Sequence, residues 1–226
     1  MRKSRAPIRA IIFDLDGVLL NNAQVYFEAG SQALDELNEH VSKETIFALV
    51  KAIENGYTNL EPWMSQEKCK EYVKAYGQIW NKLCIEKSSV RKDVMKCLAG
   101  FRREFDAKLG LVTGRRMPFA EIQAHLDSLG LGDYFDTIVT RDQENKTKPN
   151  AAQLLLASKN ISIEQQACAA VGDMPADVVA AKNAGMLSVA VLSGIYSRAD
   201  FAIANPDCIF NDVSKMYEKR KSFLYD

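Results

Sequence analysis

The sequence predicts an α/β protein, a doubly wound parallel sheet interrupted by an inserted all-helical domain. Three observations predict it. Short runs such as Ala10-Ile11-Ile12-Phe13 and Ala167 to Val171 are apolar on both faces, as parallel strands buried under helices are. From about Val90 such runs alternate with stretches of helical periodicity, the rhythm of a parallel sheet with crossover helices. Between these regions, over residues 21–88, the strand pattern vanishes and only helical spacing remains. The expected division is an α/β core over 1–20 and 89–226 with a helical domain over 21–88.

The first strand ends in Asp14-Leu15-Asp16-Gly17. Side chains alternate along a strand, so Asp14 and Asp16 point to one side. Gly17 suits the turn that ends it. Asn21 or Asn22 then caps a helix running to about Glu39, and Ser42 caps a second carrying Ile46, Leu49, Val50 and Ile53. Asn55-Gly56 stops that helix. A linker from Tyr57 to Pro62 leads to Ser65, the cap of a third helix with Cys69, Tyr72, Val73, Tyr76, Trp80 and Leu83 on one face. That aromatic stripe reads as the core of the helical domain.

Val94, Leu98, Phe101 and Phe105 mark a further helix, and Lys108 to Val112 a strand ending at Thr113-Gly114. Pro118 suits the first turn of the next helix, with Phe119, Ile122, Leu126 and Leu129 facing inward and Gly130 ending it. Thr137 to Val139 is a short strand, and Pro149 opens a helix through Leu154 and Leu155. Ala167 to Val171 is a strand before Gly172-Asp173, followed by a helix that stops at Gly185. Leu187 to Leu192 is a strand stopped by Ser193-Gly194. Cys208 to Phe210 is a weak last strand, and Val213 to Leu224 a terminal helix.

Composition narrows the function classes. The 226 residues are 47% hydrophobic and 26% charged, ordinary for a globular chain with a real core. Lys+Arg and Asp+Glu are 29 each, so no basic excess points to nucleic acid. The five scattered cysteines show no Cys-x-x-Cys spacing and suit a reducing compartment. The basic N-terminus is followed by only a short apolar run bearing acids, unlike a signal peptide, and no segment has the length of a membrane span. The expected setting is cytoplasmic, with a monomer or weak homodimer the default.

Crossovers in such a sheet are right-handed, so every strand ends at one edge, where ligands of open α/β sheets bind. The residues following the strands are Asp14 and Asp16; Thr113, Gly114 and Arg115; Lys146, Lys148 and Pro149; then Asp173 and Asp177. Singly, Thr113 reads as a helix cap, Lys148 as a loop charge, and Asp173 and Asp177 as capping acids. Four separated segments delivering acids, a hydroxyl and a lysine to one edge make a site. The segments Phe-Asp-Leu-Asp-Gly-Val, Val-Thr-Gly, Thr-Lys-Pro and Val-Gly-Asp-Met-Pro-Ala-Asp together resemble the four motifs of the haloacid dehalogenase superfamily. The helical block resembles that family's small helical cap, inserted between the first two motifs. The sequence is most similar to the phosphoglycolate phosphatase and β-phosphoglucomutase branch.

That resemblance implies a Rossmann-like core and a phosphatase of a small phosphorylated metabolite, such as phosphoglycolate or a sugar phosphate, working through an aspartyl-phosphate. A β-phosphoglucomutase-type transfer is the alternative, and a non-catalytic binding protein of the same fold a third reading. Phosphate-ester hydrolysis needs up to about 20 kcal/mol of stabilisation, and a covalent intermediate divides it into two easier steps. The resemblance makes Asp14 the nucleophile and Asp16 the proton carrier, which must hold a proton when substrate binds. Acids facing a phosphate demand a cation, and hard oxygen ligands suit Mg²⁺. The implied ligands are the carboxylates of Asp14 and Asp173 and the backbone carbonyl of Asp16, with Asp177 holding metal waters or positioning Lys148. Thr113 and the Gly114 N–H are implied to bond the transferring phosphoryl group, and Lys148 to neutralise its charge, with Lys146 a rival. Arg115 is expected at the cleft mouth, as a binder of a distal anionic group or simply as a surface arginine. His40 and His125 are expected away from every motif.

Overall fold

The computed structural model describes residues 6–56, 60–61 and 63–221. In chain order the elements are β1 (Ala10–Phe13), β2 (Leu20–Asn21), α1 (Ala23–Glu36), α2 (Lys43–Glu54), α3 (Gln66–Lys87), β3 (Ser89–Val90), α4 (Val94–Phe105) and β4 (Lys108–Val112). Then come α5 (Phe119–Ser128), β5 (Thr137–Val139), α6 (Ala152–Asn160), β6 (Cys168–Gly172), α7 (Pro175–Asn183), β7 (Leu187–Val191), β8 (Cys208–Phe210) and α8 (Val213–Glu218). The chain falls into two compact units, 1–21 with 89–226, and 22–88.

The first unit holds a six-stranded sheet ordered β5-β4-β1-β6-β7-β8, with every neighbouring pair parallel. β1 lies inside it, flanked by β4 and β6, and all four of its residues are buried. Alternation along β1 feeds two layers. Ile12 joins Leu154, Ala157, Ala180 and Ala181 of α6 and α7 in one cluster. Phe13 faces the other way, its ring 6.2 Å from that of Phe101 on α4. Helices on both faces explain why the strands read as continuous apolar runs.

A second, two-stranded antiparallel ribbon pairs β2 with β3, matching Leu20 to Val90 and Asn21 to Ser89. This changes the expected start of the insertion. Asn21 lies in a strand of the core unit rather than at a helix start, and Asn22, at the cap position of α1, makes no side-chain cap hydrogen bond.

In the unit 22–88, α2 and α3 begin as their caps dictate, with Ser42 accepting from the Thr45 N–H and Ser65 from that of Lys68. Gly56, at φ 84°, follows α2. Gly30 lets α1 and α2 meet closely, since a Cβ there would lie 2.8 Å from Val50 Cγ2. Cys69, Tyr72, Tyr76, Trp80 and Leu83 are buried, and the Trp80 ring packs 5.6 Å from that of Tyr26, tilted by 50°. Tyr57, Thr58, Asn59 and Pro62 of the expected linker lie outside the described residues.

Two other expectations are corrected, and a third, the terminal helix to Leu224, falls partly outside the described residues. Phe119 is exposed, because α5 starts there and its buried stripe begins at Ile122. α6 begins at Ala152 rather than at Pro149. α8 is described only to Glu218, and residues beyond 221 lie outside the described set. All five cysteines are free thiols, and four are buried. Among the described residues no helix is long and apolar enough to cross a membrane.

Candidate active site

Asp14 follows β1 directly, and its N–H donates to the Val171 carbonyl at 2.8 Å, carrying the β1–β6 ladder past the strand end. Lys148 Nζ donates to Asp14 Oδ1 and, at 2.6 Å, to Asp177 Oδ1. The three side chains are 12–13% exposed for Asp14 and Lys148 and 9% for Asp177, so the charges interact in a shielded setting. Asp177 Oδ2 accepts from the Met174 N–H at 2.9 Å, which pins the carboxylate to the first turn of α7. Gly172 makes room for it, since a Cβ there would lie 2.1 Å from the Asp177 carboxyl carbon. Asp177 is thus bonded to Lys148, whereas Lys146 is an exposed loop residue bonded through its N–H to Glu144.

Burial is the largest influence on this cluster. It pushes the Asp14 carboxyl up to about 7; Lys148 pulls it back, while Asp177 and Asp16 raise it. Burial acts against the Lys148 ammonium, but Asp14 and Asp177 outweigh it and lift Lys148 above its ordinary range. Asp173 is raised well above the usual carboxylate range, by burial first and then by Asp177 and Asp14.

Asp173 is 1% exposed, and its Oδ1 has no hydrogen-bond partner. Two glycines cradle its other oxygen: a Cβ on Gly17 would lie 2.3 Å from Oδ2, and one on Gly194 1.7 Å. Gly17 also has φ +75°, a conformation side chains resist. Ser193 Oγ donates to the Gly17 carbonyl at 2.7 Å and ties the β7 end to the β1 turn. A buried carboxylate with an orphaned oxygen is costly unless something positive meets it. These residues therefore fit a divalent cation. Among the described residues no three His, Cys, Asp or Glu side chains form a metal cluster, and the implied set needs only two carboxylates beside a carbonyl.

Thr113 is 1% exposed, its N–H bonds the Val139 carbonyl at 3.0 Å, and its Oγ1 accepts from the Arg115 N–H at 3.3 Å. A Cβ on Gly114 would meet nothing within 4 Å, so the backbone after Thr113 borders open space. Arg115 departs from expectation. It is 2% exposed and turned inward, with Nε and Nη2 donating to Asp16 Oδ2 and Oδ1 at 2.8 and 2.6 Å. A guanidinium already engaged with a carboxylate inside the core is not a mouth-facing anion binder.

Sequence reasoning missed Ser193 and Gly194, although they follow β7 as Thr113 follows β4, and that shared position was the available signal. It also set His125 apart. His125 is 6% exposed, and burial, then the Arg115 charge, hold its imidazole below the ordinary histidine range.

This arrangement, acids after β1 and β6 bridged by a lysine from the β5 loop, has a family. The haloacid dehalogenase-like hydrolase model matches residues 11–191. The chain belongs to the haloacid dehalogenase-like hydrolases. The dehalogenase-like family assignment agrees with individual relatives. Phosphoglycolate phosphatase of Photorhabdus laumondii is 27% identical over 215 residues, covering 92% of this chain and 91% of the relative. Phosphoglycolate phosphatase of Escherichia coli K12 is 27% identical over 233 residues with the same coverage. Among solved structures, a hydrolase from Pseudomonas syringae superposes with a TM-score of 0.71 at 22% identity, covering 95% of this chain and 99% of that one. A haloacid dehalogenase-like protein from Streptococcus pneumoniae gives 0.74 at 19% identity, covering 94% and 98%. At these identities the structures speak for the fold alone.

Proposed function

We propose that this haloacid dehalogenase-like hydrolase is a Mg²⁺-dependent phosphatase that cleaves small phosphate monoesters through an aspartyl-phosphate on Asp14. The observation that carries the reading is the pairing of a Lys148-bonded Asp14 with a buried Asp173 oxygen that lacks a hydrogen-bond partner. In this reading an Asp14 oxygen attacks phosphorus as the ester P–O bond breaks, and Asp16 gives its proton to the departing oxygen. Water then attacks the aspartyl-phosphate, Asp16 takes the water's proton, and inorganic phosphate leaves. Thr113 Oγ and the Gly114 N–H bond the transferring oxygens, and Lys148 offsets their charge while restraining Asp14. Asp14 and Asp173 would hold Mg²⁺ with the Asp16 carbonyl, and the ion when bound supplies charge neutralisation at the phosphoryl oxygens. The similarity to phosphoglycolate phosphatases supports a compact anionic ester as substrate, and the helical unit 22–88 is proposed to select it.

Turnover of p-nitrophenyl phosphate should require Mg²⁺ and fall by at least ~10³-fold in Asp14→Asn. Metal-independent turnover, or activity retained in the variant, would sink the assignment. A screen of phosphoglycolate, sugar phosphates, nucleotides and pyrophosphate, reading free phosphate against phosphoryl transfer to sugar, names the substrate and separates hydrolysis from mutase chemistry.

A further inference from the structure

The proposed reaction uses Asp16 but gives no part to Arg115, the residue bonded to its carboxyl group. The side chains of Arg115 and Asp16 are 0% and 9% exposed, and the two bonds join the Nε–Nη2 edge of the guanidinium to both carboxyl oxygens across 99 residues of sequence. Such a fork fixes the carboxyl plane as well as its place, which a lysine ammonium does not. The same residue's backbone N–H donates to Thr113 Oγ1. One residue thereby holds the hydroxyl after β4 through its backbone and the second acid after β1 through its side chain.

We propose that Arg115 is a positioning residue, whose guanidinium fork sets the orientation in which Asp16 exchanges its proton with the leaving oxygen. The inference rests on the reading of Asp16 as proton carrier. A proton donor works only within hydrogen-bond reach and in line with its target, and small misplacements are costly. Asp16 sits at a turn, one residue before Gly17 with its positive φ, where backbone geometry alone leaves a short side chain several rotamers. The fork selects one. A carboxyl group offers about four lone-pair sites and the fork needs two, so the fork alone does not block the exchange. In that step the ester P–O bond breaks, the Asp14 O–P bond forms, and the Asp16 proton moves to the departing oxygen.

The role has a signature that mere structural support lacks. kcat/KM reports the chemistry up to formation of the aspartyl-phosphate. Phenyl and p-nitrophenyl phosphate are nearly the same shape, but p-nitrophenolate departs without a proton far more readily. Arg115→Ala should lower kcat/KM for phenyl phosphate by about 100-fold or more, the scale of a lost general acid. The loss for p-nitrophenyl phosphate should be several-fold at most, and added guanidinium ion should restore part of the phenyl phosphate rate. Because Arg115→Ala takes the guanidinium away from a buried acid, Arg115→Lys, which keeps the charge without the fork, is measured beside it and should show the same split in weaker form. Equal losses on both substrates, a gain on phenyl phosphate, or a folded Arg115→Lys enzyme with the wild-type ratio would each overturn the inference. Asp16→Asn separates the two levels. If it shows no split, the reading of Asp16 fails; if it shows the split and the Arg115 variants do not, only the role of Arg115 fails.

Discussion

Asp14 and Asp173 are buried acids whose environment opposes their charge. The carboxyl of Asp14 binds its proton up to about 7, against an ordinary 3.8, and Asp173 is shifted the same way. A folded state that holds a proton the unfolded chain has released is stabilised at low pH. That stability is present below the ordinary carboxylate value and is lost as pH rises through the folded one. Metal-free protein should therefore melt at lower temperature at about pH 8 than at about pH 5. Mg²⁺ should raise the melting temperature more at the higher pH, because a cation favours the ionised carboxylates. Asp14→Asn should flatten the metal-free slope of melting temperature against pH, because it removes a group whose proton binding differs between the folded and unfolded chain. Differential scanning calorimetry across pH reads all three, and a metal-free melting temperature that climbs with pH would contradict the shifts.

Among the elements, the turns after β1 and β7 depend on each other through the oxygen of Asp173. Gly194→Ala would place a Cβ where Asp173 Oδ2 lies, so either the β7 turn or the acid must move. The expected result is a stability loss of about 1–3 kcal/mol with a larger loss of Mg²⁺ affinity, read by urea unfolding and by the Mg²⁺ dependence of turnover. Ser65→Ala, by contrast, removes the side-chain cap of α3 and should cost about 1 kcal/mol, read by urea unfolding. These elements differ in how legible they were. β4 spans Lys108–Val112 and β5 Thr137–Val139 as read, because a strand buried under helices on both faces runs apolar after its first residue, as Leu109 to Val112 and Ile138-Val139 do. Ser42 and Ser65 cap α2 and α3 because capping is local chemistry. The β2–β3 ribbon was invisible, since two residues carry no period and their partners lie across the whole insertion. Arg115 was misread for a related reason. An arginine at a helix start looks solvated, and the acid that draws it inward is 99 residues away. Asp14, Asp16, Thr113 and Asp173 were legible because each follows a strand closely, and Lys148 because it stands in the loop after one; the glycines that give Asp173 its space act through distances no sequence displays.

For the whole molecule, that ribbon fixes where the chain can be cut. Asn21 and Ser89 are cross-strand partners, and the sheet lies wholly within 1–21 and 89–226. Replacing residues 22–88 by a two-residue Asn-Gly turn should leave a core that folds cooperatively, because such a turn suits two antiparallel strands. That core should keep Mg²⁺-dependent stabilisation and lose discrimination among phosphate esters. Circular dichroism melts with and without Mg²⁺, and the substrate screen repeated on the shortened chain, check it. A core that unfolds, or one with unchanged selectivity, would mean that residues 22–88 do more for the fold, or less for selection, than proposed.

The inner position of β1 has a consequence for how the protein acquires activity. Its neighbours are β4 and β6, so the second strand to begin lining it is made only when synthesis reaches Cys168, and the Asp14 N–H waits for Val171. Pairings of such long sequence separation are slow to close. A nascent chain can complete its helical unit early, yet the strand bearing the proposed nucleophile is seated among the last. The growing polypeptide thus carries its reactive acid unassembled for most of its synthesis, and chemistry arrives together with completion of the sheet.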